Sequence, residues 1–311
     1  MKKVVLVYSN GAGQNVRVNA LPKEGETVRA LSWDFDRDGA KGTNVAVALG
    51  RLGMACSLIT RNGDDMNADL CEKWLNDAGV DTTFARRDPS VTTPTGVVFI
   101  DKTGRNTIVL SDFDPVIPAS LIDEGLAANK EAAWLVTGFE IAEESAVYAV
   151  RAAKSYGIRT IINASPVSAD HTADLGNADI VVVNEVEARQ LLEAKGLRTL
   201  PEDEQTLARL ICEKYAVGAA VITMGRKGYL AAEGDRVFRG MAVGAFGDDV
   251  VDTSGAGDGF LAAMTYKLAM GENLEAACKW ANVYAGITVC YSGTIPGYLP
   301  LSQVEEFMTR R

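Results

Sequence analysis

Short Val- and Ile-rich runs alternate with amphipathic runs through most of the chain. Strand patterns fall at residues 133–137, 159–163, 180–183 and 219–223. Helical patterns fall between them at 143–156, 185–195 and 202–215, the first stopped by Gly157. Strands that are apolar throughout and alternate with helices predict βαβ units and a mostly parallel sheet covered on both faces. The same rhythm opens the chain, with a first strand at 4–8, a helix at 42–52 and a strand at 56–60. A helix at 68–76 follows, closed by Gly79. The end of the sequence reads as three helices, at 257–269, 274–289 and 302–308.

Two stretches break the rhythm. Residues 16–35 and 93–110 carry hairpin patterns, the second with its turn at Asp101-Lys102-Thr103-Gly104. Such strands in an α/β chain predict a separate small sheet. We expect it to form a lid, with strands from about 14–38 and 92–112, because closure over a site excludes water from a reacting phosphate. The chain as a whole, 1–311, reads as one α/β domain carrying that lid.

Composition narrows the function. The 311 residues are 47% apolar and 23% charged, enough to bury a large core. A net charge of −10, without any basic run, argues against a nucleic-acid partner. The apolar run after Met1-Lys2-Lys3 is too short for a signal peptide, and no stretch is long enough to span a membrane. Five scattered cysteines with no CxxC pair point to reduced thiols and a cytoplasmic protein. The one histidine, His171, lies in a polar loop, so His-rich zinc sites are ruled out. The chemistry must rest on carboxylates, amides and backbone.

The segment Asp252-Thr253-Ser254-Gly255-Ala256-Gly257-Asp258 is the strongest candidate. Small residues run directly into a helix start, where free N–H groups and the positive dipole end form an anion hole. Asp258 is placed beside it, where a carboxylate can take a proton from an attacking hydroxyl. Phosphoryl transfer needs those two parts. A glycine-rich helix start capped by Asp would show the same spacing.

That segment resembles the C-terminal signature of the ribokinase family, the pfkB-type carbohydrate kinases. Further matches follow in chain order. Gly39-Ala40-Lys41-Gly42-Thr43-Asn44 resembles the N-terminal glycine-rich signature, and Asn184-Glu185-Val186-Glu187 an Asn-x-x-Glu motif. Thr223-Met224-Gly225-Arg226-Lys227-Gly228 is similar to the nucleotide loop. The resemblance implies a three-layer α/β/α sandwich with a β-sheet lid, and ATP-dependent phosphorylation of a sugar hydroxyl. It implies Asp258 as base, with the amides of Gly255, Ala256 and Gly257 on the transferring phosphate. It implies Asn184, Thr223, Gly225, Gly228 and Gly257 at ATP. Gly39, Lys41, Gly42, Asn44, Glu140 and Asp258 would meet the acceptor. Glu187 would hold Mg2+ through water, and Asp252 and Ser254, with the loop 292–297, are candidates for K+. Family members often dimerise through the lid, which the apolar lid residues Val28, Trp33, Phe35, Val97 and Phe99 permit.

One departure leaves the acceptor open. The family carries an Asp after its first strand that grips two sugar hydroxyls, and Gly13 stands there instead. Either the grip on a vicinal diol is lost, or the neighbouring amides, Asn10, Gln14 and Asn15, replace it. Amides donate as well as accept, which suits a carbonyl, carboxylate or phosphate on the ligand. Lys102 or Arg105 could reach an anionic group, and Asp112 and Asp114 follow them. A nucleoside kinase of the same family and a non-kinase sugar sensor are the alternatives, the intact Asp258 counting against the sensor. A dinucleotide oxidoreductase reading of Gly11-x-Gly13 fails for want of the third glycine and a helix start. No Walker P-loop is present.

Overall fold

The computed structural model describes residues 2–103, 105–111, 115–172, 174–243 and 250–309. Among these residues, thirteen strands are arranged in two sheets. The large one contains β1 (Lys3–Val7), β4 (Ala55–Asn62), β5 (Ala85–Arg87), β8 (Ala132–Gly138), β9 (Arg159–Asn163), β10 (Ile180–Asn184), β11 (Ala219–Thr223), β12 (Tyr229–Glu233) and β13 (Arg236–Gly240). Their order is β13-β12-β11-β10-β9-β8-β1-β4-β5, parallel from β11 to β5 and antiparallel at β12 and β13. The small sheet contains β2 (Ala12–Val18), β3 (Ala30–Gly39), β6 (Thr95–Ile100) and β7 (Asn106–Leu110), in the order β3-β2-β6-β7.

The helices are α1 (Lys41–Arg51), α2 (Met66–Asp77), α3 (Ala119–Ala128), α4 (Glu143–Ser155), α5 (Glu185–Ala194), α6 (Glu204–Tyr215), α7 (Ala256–Ala269), α8 (Leu274–Thr288), α9 (Thr294–Gly297) and α10 (Leu301–Thr309). They bury two separate cores, one on each face of the large sheet. In β1, Val4 and Leu6 join the core under α1, α2, α7 and α8, whereas Val5 and Val7 join the core under α3 to α6. Period-two alternation in an all-apolar strand thus supplies both faces at once. The result is a three-layer α/β/α arrangement. Among the described residues, no helix is long and apolar enough to cross a membrane.

Several elements depart from the sequence reading. The hairpin expected at 16–35 is a wider pair, β2 against β3, that starts at Ala12. Strands β12 and β13 and helix α3 had no counterpart in the pattern. His171 lies buried against Phe139 with its Nδ1 2.7 Å from a Glu143 oxygen, a packing position rather than an open loop.

Candidate active site

Parallel sheets present ligand-binding groups beyond their carboxyl ends. Here β1 leads to Ser9, β8 to Glu140, β9 ends at Asn163, β10 at Asn184 and β11 at Thr223. The starts of α1 and α7 approach the same side, with the small sheet beside them. A cavity of about 310 Å³ lies between these parts, lined by Gly13, Asp38, Lys41, Glu140 and Asp258 among others. That volume is at the lower end of the range for small-molecule sites.

The floor of the cavity is the start of α7. Gly255 is the N-cap, in the left-handed region at φ 71°. Only glycine adopts this without strain, and a Cβ there would also collide with the Tyr298 hydroxyl. That hydroxyl donates to the Gly255 carbonyl at 3.1 Å. The first bond of the helix ladder runs from Gly259 N–H to Gly255 O. The N–H groups before it are the ones a helix start leaves without intrahelical acceptors. A Cβ on Gly257 would meet nothing within 4 Å, so open space lies over this turn.

Asp258 lies within the first turn of α7, where the helix dipole favours an anion. It is 6% exposed. Its Oδ2 accepts a 2.8 Å hydrogen bond from Asn44 Nδ2, and Lys41 Nζ lies 3.9 Å from Oδ1. Burial pushes its carboxyl above the ordinary carboxylate range, while Lys41 and Asn44 draw it partly back. For Lys41, burial pulls the ammonium down, but the carboxylates of Asp258, Glu140 and Glu187 more than offset it. The arrangement provides a buried carboxyl group, a lysine beside it and helix-start amides around one cavity. Those are the parts that deprotonate a hydroxyl and stabilise a phosphoryl group in transfer.

Glu140 caps a helix start. The N-cap of α1, Ala40, has no capping side chain. Glu140 Oε2 accepts the Lys41 N–H at 2.7 Å, and Ser9 Oγ accepts the Gly42 N–H at 3.0 Å while donating to Glu140 at 2.9 Å. Ser9 and Glu140 thus satisfy two of the free amides of α1. Burial, the largest effect, raises the Glu140 carboxyl.

The nucleotide-loop candidates sit apart from this cavity. Asn184 caps α5 by accepting from the N–H groups of Val186 and Glu187. Glu187 completes a capping box on the Asn184 N–H at 2.8 Å and accepts the Ser165 hydroxyl at 2.5 Å. Thr223 Oγ donates to Val183 O at 3.3 Å, and Gly225 and Gly228 form a tight turn immediately after β11. Asp252 ties two loops together, accepting from Ser254 N–H at 2.9 Å and from Gly293 N–H at 3.1 Å.

This chain belongs to the pfkB family of carbohydrate kinases. It matches that family over residues 12–300. It is 28% identical to a deoxyribokinase of Salmonella typhi over 310 residues, 98% of each chain. It is 29% identical to a ribokinase of Bacillus subtilis over 314 residues, 99% of this chain and 100% of the other. Its fold is that of a ribokinase from Thermotoga maritima, with a TM-score of 0.86 at 24% identity over 99% of this chain and 100% of that one. It also superposes on an Arabidopsis thaliana ribokinase complexed with ribose and ATP, with a TM-score of 0.82 at 24% identity over 99% of each chain. The protein is accordingly a sugar kinase, a phosphotransferase with an alcohol as acceptor.

Against that background, the expected amide replacements for Gly13 do not face the cavity. Asn10 lines a separate cavity of about 220 Å³, donates to Asn62 at 3.0 Å and accepts from Thr43 at 2.8 Å. Asn15 donates to Asp38, and Gln14 accepts from the exposed Trp33 indole at 3.0 Å. Lys102 is exposed at the β6–β7 turn, and Arg105 there pairs with Asp101 at 2.8 Å, so neither lines the cavity. Asp112 and Asp114 lie outside the described residues. Asp38, which the sequence reading passed over, does line the cavity, and it is 8% exposed.

Proposed function

We propose that this chain transfers the γ-phosphoryl group of ATP to a hydroxyl of a pentose-sized sugar, with Asp258 as the general base. The observation that carries this reading is the buried Asp258 carboxylate beside a helix start with open space over Gly257. Asn44 orients Asp258, which takes the proton of the attacking hydroxyl. The amides of Gly255, Ala256 and Gly257 and the Lys41 ammonium stabilise the charge on the transferring group. Gly39 lines the acceptor wall, and Gly42 lets the start of α1 pack close against Ser9 and Tyr8. Thr223, Gly225, Gly228 and Asn184 hold the nucleotide at the ends of β10 and β11.

Both Glu187 oxygens already accept a hydrogen bond. That fits Mg2+ contacted through water better than a direct ligand. Mg2+ would come with the nucleotide, where it would neutralise phosphate charge, with Glu187 contacting it through water. Asp252 orders the backbone at Ser254 and Gly293, a setting that suits a K+ ion held by carbonyl oxygens. The five scattered cysteines, with no CxxC pair, fit reduced thiols and a cytoplasmic protein.

The test is acceptor-dependent ADP release. Pentoses, hexoses, sugar acids, sugar phosphates and nucleosides are each offered with ATP and Mg2+. A free sugar is expected to turn over fastest. Preference for a nucleoside would instead favour the nucleoside-kinase alternative, and release without any acceptor dependence would refute the reading.

The small sheet forms a lid over the cavity and a homodimer surface in this proposal. Trp33 and Phe35 stack at 5.8 Å while 50% and 56% exposed, alongside exposed Leu31 and Leu110. An apolar strand face of this kind fits a second copy. Sedimentation equilibrium is expected to give a dimer, and Trp33→Lys to give a monomer. A wild-type monomer at micromolar concentration would count against the dimer.

A further inference from the structure

We propose that Asp38 selects the acceptor, taking a hydrogen bond from a hydroxyl that does not react and so favouring neutral polyhydroxylated sugars over anionic ones. This rests on the kinase reading above and names the acceptor class of the same site.

The geometry starts at Gly13. Strands β2 and β3 pair there, with Gly13 opposite Asp38. A Cβ on Gly13 would lie 3.2 Å from the Asp38 Cβ, tighter than ordinary packing allows. The glycine therefore leaves room for an acidic side chain arriving from the next strand, and both residues line the cavity. A carboxylate missing from β2 is supplied by β3.

Asp38 is held, not loose. Oδ1 accepts the Thr294 N–H at 2.9 Å and Oδ2 accepts from the Asn15 amide. Each carboxylate oxygen can accept a second bond, so capacity for a ligand hydroxyl remains. Thr294 Oγ donates to Asn44 Oδ1 at 2.8 Å, and Asn44 donates onward to Asp258. Asp38 and Asp258 are thus set apart at a fixed span, with Thr294 and Asn44 between them. One carboxylate can meet the reacting hydroxyl while the other meets a different one.

Charge settles the class. Among the described residues, the cavity wall carries the carboxylates of Asp38, Glu140 and Asp258 and the ammonium of Lys41. An acceptor bearing a carboxylate or phosphate adds like charge to an already acidic wall, whereas hydroxyls supply the donors that carboxylates need. The amides of Asn10, Gln14 and Asn15 do not line this cavity, whereas Asp38 does.

The experiment combines a variant with altered substrates. Steady-state constants are measured for wild type and Asp38→Asn, using the sugar that wild type turns over fastest and each of its mono-deoxy analogues. Asparagine can keep an acceptor for the Thr294 N–H while losing the charge. A hydrogen bond to a charged group is worth about ten- to a hundredfold in affinity. D38N is expected to raise the sugar KM by about that factor, with kcat and the ATP KM little changed. One deoxy analogue should lose about the same factor with wild type and nothing further with D38N. Equal discrimination by both proteins, or an unchanged sugar KM, would overturn the assignment. If D38N folds poorly by thermal melting, Asp38→Ser is read in its place, and loss of folding in both variants would make Asp38 structural and overturn the assignment too. Absence of turnover of any sugar by wild type would remove the kinase reading itself, a distinct outcome.

Discussion

Asp258→Asn is expected to lower kcat for sugar phosphorylation by about 10²–10⁴-fold, the usual worth of a positioned general base, while nucleotide affinity stays within a few fold. Asparagine matches the shape and still accepts from Asn44 and faces Lys41, so the helix start keeps its form. What disappears is the proton acceptor. Thermal melting should confirm that the fold is retained, because the substitution removes a buried carboxylate whose ionised form is penalised by burial. The same feature sets the pH dependence of the wild type. The base must be ionised to act, and its pKa lies above the ordinary carboxylate range. Activity should therefore fall on the acid side at a higher pH than an exposed aspartate would give. The linkage has a matching sign: with a raised native pKa, the native state holds the proton more tightly than the unfolded chain. The Asp258 contribution to stability is thus lost as pH rises through the native pKa. Activity in D258N within a few fold of wild type would remove Asp258 from the role of base.

Gly257→Ala should separate stability from catalysis. The residue lies at the second position of α7, and a Cβ there touches nothing. In a helix, alanine is favoured over glycine by up to about 1 kcal/mol, so the variant is expected to melt at the same temperature as wild type or slightly higher. The added methyl occupies the space through which a phosphate reaches the helix-start amides. A displacement of about 1 Å in a reacting group can cost about 10² in rate, and kcat is expected to drop by that order. A variant that is both stable and fully active would mean that no phosphate approaches over Gly257.

The sequence and the structure agree where short-range physics decides. Uninterrupted apolar strands alternating with helices specify a parallel sheet with two cores, and β1 divides its valines between them as that pattern requires. The start of α7 is similarly legible, because Gly255 takes a left-handed turn and Gly257 faces open space. Strand β12 was not legible because Tyr229–Glu233 contains two alanines and reads as readily as a helix. Helix α3 follows Pro118, with no capping side chain to mark its start.

The acceptor wall was the least legible part. Asp38 ends a strand with charged neighbours at Asp34, Asp36 and Arg37, a pattern that reads as a solvated edge. It is buried because Thr294, 256 residues away, donates to it. Asn10 shows the converse: a polar residue after the first strand looked free for a ligand, yet Asn62 and Thr43 consume its amide. The local signal was real in both cases, and a tertiary partner decided which way it pointed. Charge in a hairpin pattern, paired with a glycine opposite, is the one cue that could have singled out Asp38.

Phosphorus-31 NMR of ATP, Mg2+ and a neutral pentose, incubated with wild type and with D258N, tests the central claim most directly. With wild type, a sugar phosphomonoester resonance should grow in step with ADP. With D258N, both should remain at background. ADP accompanied only by inorganic phosphate, or a sugar phosphate formed equally well by D258N, would contradict the assignment of this site.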